Sequence, residues 1–171
     1  MWSRTRALVR RIIRIACSPQ AEWPRVAAER GAAAPVAHVL VLAALPALAA
    51  GSPGAAWRVY AASITGLALV AGAFWVAGRW YARGARFGAA FKLAAYGATP
   101  LWPAYALAVL PVLELVPLVA LVHALYLVDS GAPALLGVQR DDSVQFVVVA
   151  MALAGLGLWA IAAAAGAAGL L

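Results

Sequence analysis

The sequence predicts an all-α membrane protein with five transmembrane helices and an N-terminal amphipathic helix at the membrane interface. Of its 171 residues, 66% are hydrophobic and only 11% are charged, whereas a soluble domain is about half apolar and about a quarter charged. Five long apolar blocks, separated by short polar joints, fill residues 32–171. Arginine-rich and arginine-poor joints alternate, which indicates a fixed orientation in the bilayer.

Residues 1–30 form a basic segment of their own. Along residues 2–16, the apolar side chains fall on one arc of a helix and the arginines fall on the other. These arginines are Arg4, Arg6, Arg10, Arg11 and Arg14. Such a helix lies in the interface plane, so we expect its basic face to bind anionic lipid. A signal peptide is excluded because arginines interrupt every apolar run, while a matrix-targeting presequence stays an alternative for this composition.

A second short segment, residues 20–30, follows a break at Ser18 and Pro19. Its tryptophan, Trp23, suits the headgroup layer. Its acidic residues, Glu22 and Glu29, are expected to stay solvated.

The membrane domain, residues 31–171, is predicted to cross the bilayer at about 32–50, 59–80, 89–110, 112–128 and 144–168. Each block is close to the ~20 residues that a crossing requires. The longest hydrophilic joint is residues 129–143.

The basic residues set the predicted orientation. Twelve of the 13 lysines and arginines lie in the N-terminal segment or in joints on the same side, and only Arg58 lies on the other. This places the N-terminus in the cytoplasm and Leu171, after five crossings, outside. The net charge of +7 is therefore concentrated at membrane edges. It favours anionic lipid, and not nucleic acid, as the partner.

Residues 91–105, FKLAAYGATPLWPAY, are the most distinctive segment. Lys92 is expected to anchor at the cytoplasmic headgroups and Tyr96 to face the bundle. Pro100 breaks the helical ladder and frees the Tyr96 carbonyl, which must find a partner because lipid offers none. The hydroxyl of Thr99 is placed to supply it.

Here the chain resembles the Yip family, the Ypt/Rab-interacting membrane proteins, in its short bacterial form. The residues that fit the central motif of that family are Phe87, Gly88, Lys92, Leu93, Tyr96, Thr99 and Pro100. Residues 18–29 resemble the lead-in to its first span, and Pro46, Pro111, Tyr126 and Gly131 fit later positions. The resemblance covers about residues 18–158. It implies a five-helix domain in the bacterial cytoplasmic membrane.

Three departures from the family pattern limit what is transferred. His123 stands where a tyrosine is common, and Asp142 stands where a lysine is common. The long cytosolic region of the eukaryotic members, with its acidic Leu-Tyr-Gly-Pro motif, is not in this sequence. Small-GTPase binding is therefore not implied.

Two ionisable residues within the predicted spans are candidates for function. Glu114, one turn into the fourth span, is interpreted as a carboxylate that reaches headgroups or water. His123 is interpreted as a neutral histidine that bonds a hydroxyl or a carbonyl, and His38 as structural. Glu114 and His123 lie on opposite faces of an ideal helix, which argues against a proton relay between them.

No catalytic motif, metal-ligand set or cofactor site is visible in the sequence. We therefore expect a non-enzymatic scaffold that organises the membrane and binds lipid and protein partners, as a homo-oligomer or with other membrane proteins. The alternative is a small transporter or channel with its site at the broken third span. A polar cavity at Thr99, Glu114 and His123 would favour transport, and a dry, tightly packed bundle would favour the scaffold.

Overall fold

The computed structural model describes residues 2–167, with the side chains of residues 9–164 and 167, and the regular structure in this range is entirely helical. Its α-helices are α1 (Trp2–Cys17), α2 (Pro19–Ala28), α3 (Ala33–Leu48), α4 (Pro53–Tyr81), α5 (Phe87–Gly97), α6 (Leu101–Leu107), α7 (Val116–Leu136) and α8 (Ser143–Ala167). Single turns of 3-10 helix, Pro111–Leu113 and Arg140–Asp142, precede α7 and α8.

The two N-terminal helices meet at the predicted break. α1 ends at Cys17, and Pro19 occupies the first turn of α2, where its missing N–H is no loss. The expected environment of two α2 residues was wrong, because Trp23 is 1% exposed and Glu22 is 3% exposed. Both lie on the face of α2 that packs inward, where α2 contacts α7.

α5 lies at the centre of the bundle. Residues 93–97 are all buried, as expected of a helix that is apolar on every side. It packs against α3, α4 and α7. The predicted third span, 89–110, is therefore two short helices, α5 and α6, separated at the predicted Thr99–Pro100 break and ending at Leu107.

α7 extends beyond the predicted end of the fourth span. The first half of the predicted joint 129–143 is helical, because its polar groups find partners within the protein. The Ser130 hydroxyl donates to the Leu127 carbonyl at 2.9 Å, and the Asp129 carboxylate accepts from Ser143 at 2.5 Å. The helix ends at Gly137, whose φ of 75° suits a residue without a Cβ.

The outer surface of the bundle is apolar. Three helical segments are long and apolar enough to cross a membrane, namely 53–81, 111–136 and 140–164, and only 22% of the apolar window of each is buried inside the protein. Their outward side chains need lipid as solvent, so this is an integral membrane protein. α3, with 16 residues, is about 24 Å long and shorter than the ~30 Å hydrocarbon core. The five-crossing arrangement therefore stays a prediction.

Candidate functional site

A group of polar side chains lies where α1 and α2 meet α3 and α5. We call it the polar cluster, and its members are Arg11, Glu22, Glu29, His38, Lys92, Tyr96 and Thr99. It forms at the one place where the basic face of α1 meets the inward face of α2 and the broken end of α5.

Arg11 is paired with acidic residues of α2. Its Nε lies 3.7 Å from Glu22 Oε1, and its Nη2 pairs with Glu29. The two carboxylates share one face of α2 because they are seven positions apart, about two helical turns. Its Nη1 also donates to the Tyr96 hydroxyl at 3.2 Å. Hydrogen bonding to Glu29 raises the pKa of Arg11 further above its ordinary value. Arg11 thus keeps its positive charge, which the carboxylates of Glu22 and Glu29 balance.

Lys92 fastens the middle of α5 to the end of α2. Its ammonium donates to the carbonyls of Val26 at 3.2 Å and Glu29 at 2.5 Å. Carbonyls at a helix C-terminus lack partners in the helix and favour a cation. The structure thus gives Lys92 a protein partner where the sequence led us to expect headgroups. It also brings the end of α2 beside the middle of α5.

Tyr96 faces the bundle and is fully buried. Its hydroxyl accepts a hydrogen bond from Arg11 of α1, which lies outside the predicted spans. Its ring lies against the imidazole of His38, with 4.7 Å between the ring centroids. The side chain therefore joins α1, α3 and α5.

Thr99 and His38 form a bonded pair at the break between α5 and α6. The Thr99 hydroxyl donates to the Tyr96 carbonyl at 2.6 Å, which is the contact the sequence predicted. Because a carbonyl only accepts, this hydroxyl has no proton left and must accept from His38 Nε2, 3.0 Å away. His38 therefore carries its proton on Nε2.

This proton arrangement bears on chemistry. A histidine activates a hydroxyl nucleophile only if the hydroxyl proton points to the imidazole. Here the Thr99 proton points to a carbonyl instead. The Nδ1 atom of His38 is buried and has no hydrogen-bond partner among the described residues. The pair thus joins α3 to α5 and is not arranged for acyl transfer.

α7 holds both N-terminal helices. Trp23 Nε1 donates to the Ser130 hydroxyl at 3.0 Å. Beside it, a Cβ added to Gly131 would lie 2.7 Å from both Trp23 and Leu93, so only glycine permits this approach. His123 Nε2 donates to the Ala16 carbonyl at 3.1 Å, which is the kind of bond expected for a neutral histidine.

The predicted site residues fall into separate places. Arg11, Lys92, Tyr96 and Thr99 come together in the polar cluster, and Pro100 precedes α6. Arg10 and Arg14 are exposed on α1, whereas the side chains of Arg4 and Arg6 lie outside the described residues. Glu114 is exposed between the 3-10 turn and α7. His123 lies on α7, where it is half-buried against the end of α1.

Sequence reasoning missed Glu22, Glu29 and His38 as members of the cluster. The seven-residue spacing of the two glutamates was a signal, because it places both on one face of α2. The position of His38 had no such signal, since it depends on how α3 packs against α5.

An apolar cavity of about 700 Å³ lies beside the break, between α4, α6, α7 and α8. Its lining includes Phe74 and Trp102 and contains no charged residue. Thr99, Glu114 and His123 do not line it. Among the side chains that the structure describes, no group of three His, Cys, Asp or Glu residues is placed to hold a metal ion.

A central proline-broken helix, apolar outer helices and two N-terminal helices joined by a polar cluster define a polytopic helical membrane protein. The model of the Yip1 domain matches residues 13–163. The chain therefore belongs to the Yip family, as the central motif indicated. No curated protein and no solved structure is significantly similar to it. The match includes every member of the polar cluster except Arg11.

Proposed function

We propose that this protein is a non-enzymatic scaffold of the bacterial cytoplasmic membrane, which binds anionic lipid through α1 and holds other membrane proteins or further copies of itself. The observation that carries the proposal is the polar cluster. It fastens α1 and α2 to α5 through Arg11 and Lys92 while Arg10 and Arg14 remain exposed.

Lipid binding rests on how the charges of α1 are divided. Glu22 and Glu29 pair with Arg11. Arg25 of α2, although 60% exposed at its side chain, also pairs with Glu22, whereas Arg10 and Arg14 are exposed on α1. Each exposed arginine near an anionic surface contributes about 1 kcal/mol. Because α1 and α2 are fixed to the membrane domain, they present these charges together at the bilayer.

Partner binding rests on the outer faces of the spans. Val119 and Val148 are more than half exposed on α7 and α8. Near the middle of α8, a Cβ atom added at Gly157 would meet nothing within 4 Å. Small residues let membrane helices approach closely. These faces suit another membrane helix better than they suit water.

A cytoplasmic N-terminus and five crossings complete the proposal. The bond from Lys92 to the end of α2 supports them. This bond holds Lys92 near the end of the bundle at which α3 begins. The chain therefore runs along the bundle in α3 and returns in α4. A transporter of polar solutes is less well supported, because the cavity beside the break is lined by apolar residues and lacks charge.

The lipid arm is tested with the full chain in bilayer discs of neutral lipid, titrated with anionic lipid. Replacing Arg10 and Arg14 together by glutamine should weaken anionic-lipid binding by about 30-fold at low salt, and by less as salt rises. Arg58→Gln, an exposed arginine at the start of α4, is the matched control. Equal binding by the double variant and the control would disprove the lipid role.

The scaffold arm is tested by extracting the protein from native membranes. We expect mass spectrometry to find the same co-purifying membrane proteins, or a fixed oligomer mass, in repeated preparations. A monomer without partners that moves a solute across vesicle membranes would favour the transporter instead.

A further inference from the structure

The apolar cavity is the feature that neither the polar cluster nor the scaffold proposal uses. It holds about 700 Å³, within the range of roughly 300–1,000 Å³ of cavities that bind small molecules. The cavity is open to the surface, and its apolar walls favour contact with an apolar group over contact with water. The space therefore calls for an occupant.

The walls identify the chemistry of that occupant. The lining is overwhelmingly aliphatic and aromatic, and it contains no charged side chain. A charged or strongly polar molecule would lose its hydration there without compensation. The occupant is thus a neutral, extended apolar group.

The opening identifies its source. The cavity is not closed, and its exposed lining residues mark the mouth. These include Leu121 on α7 and Leu158 on α8, which are 41% and 47% exposed. Both helices are long and apolar enough to span the membrane. The mouth therefore opens among lipid chains, which are the apolar molecules present at that depth.

We infer that this cavity binds one acyl chain of a membrane diacyl phospholipid. This site is separate from the arginine face of α1. It stands whether or not the scaffold proposal is correct.

The chain offers a substitution that fills the cavity. Gly66 lines it, and a Cβ added there would meet nothing within 4 Å, so a leucine side chain has room to enter. Gly155 of α8 is the matched control. It has the same open surroundings but is absent from the cavity lining.

The first test uses the full chain in bilayers that contain a trace of phospholipid with a photoreactive group on one acyl chain. Adducts are expected at Val70 and Leu125, which are half-buried and line the cavity, as well as at the outward-facing Val148. Gly66→Leu should lower the cavity adducts at least about fivefold, since an added side chain competes for the space. Labelling of Val148 should not change, and Gly155→Leu should behave like the original chain.

The second test measures the oligomeric mass of Gly66→Leu and of the original chain in the same bilayers. The inference is overturned if Gly66→Leu leaves the cavity adducts intact. It is also overturned if Gly66→Leu dissociates an oligomer without affecting lipid, because a second copy would then occupy the cavity.

Discussion

Tyr96 joins three helices of this protein, because its ring and its hydroxyl meet different helices. The ring packs on His38 of α3, and the hydroxyl accepts a hydrogen bond from the Arg11 guanidinium of α1. The backbone carbonyl of Tyr96 accepts a hydrogen bond from the Thr99 hydroxyl at the break between α5 and α6. The Tyr96 side chain thus connects α1 to the centre of the bundle.

Two substitutions at Tyr96 separate packing from hydrogen bonding. Tyr96→Ala should lower the free energy of unfolding by about 3–5 kcal/mol, because it opens a large buried void. Tyr96→Phe should cost about 1.5–3 kcal/mol through the lost bond to Arg11. Leu107→Ala, at a residue that is 46% exposed, should cost much less. Thermal melting of the purified variants in one detergent compares them.

The contrary result at this scale is equally clear. If Tyr96→Ala melts no lower than Leu107→Ala, then the central motif is not the packing centre. Binding of a partner would then explain the motif better than packing does.

The sequence was sufficient to predict the break at Thr99–Pro100 and the partner of the freed carbonyl, because both follow from local backbone chemistry. It was not sufficient to predict the environment of Arg11. Helical periodicity places all five arginines of α1 on one polar arc. Which of them turns inward depends on Glu22 and Glu29, and hence on how α1 docks against α2.

At the scale of elements, the contact between α2, α5 and α7 is closer than side chains usually permit. It depends on Gly131, which lies between Trp23 and Leu93. Neighbouring Ser130 accepts the indole N–H of Trp23. This contact fixes α2 against the membrane domain independently of the ion pairs.

Gly131→Ala tests that contact. The added methyl group would lie 2.7 Å from both the Trp23 ring and Leu93, so we expect a loss of about 1–3 kcal/mol from overpacking. Gly155→Ala, where nothing lies within 4 Å, should change stability little. Melting temperatures of the two variants give the comparison, and equal values would mean that α2 shifts freely to make room.

Helix boundaries show what sequence patterns do not contain. Prolines and glycines correctly predicted the ends of α1 and α5. A hydrophilic joint was predicted at 129–143, yet α7 continues through its first part to Leu136, since Asp129 and Ser130 bond within the protein. Polarity marks a joint in a membrane protein only when its partners are water, and the sequence does not show which partner a side chain will have.

At the scale of the whole molecule, the proposed topology has a direct test. A reporter inserted at Gly84 should be active only in the cytoplasm, and one in the 51–54 turn only outside. One fused after Leu171, which lies beyond the described residues, should also be active only outside. The physical reason is that twelve of the 13 basic residues lie on the cytoplasmic side of this arrangement. Cytoplasmic activity after Leu171 would contradict five crossings.

The partners of the first two helices are far away in sequence, which has a consequence for biogenesis. Arg11 bonds to a residue 85 positions later, and Trp23 bonds to one 107 positions later. Residues near the N-terminus leave the ribosome first, so α1 and α2 have no docking site until α5 and α7 have been inserted. A chain halted before residue 90 should leave both helices open to protease. The first part of this protein to be made is therefore the last to be fixed in place, and the lipid binding proposed for α1 would hold it at the membrane surface until then.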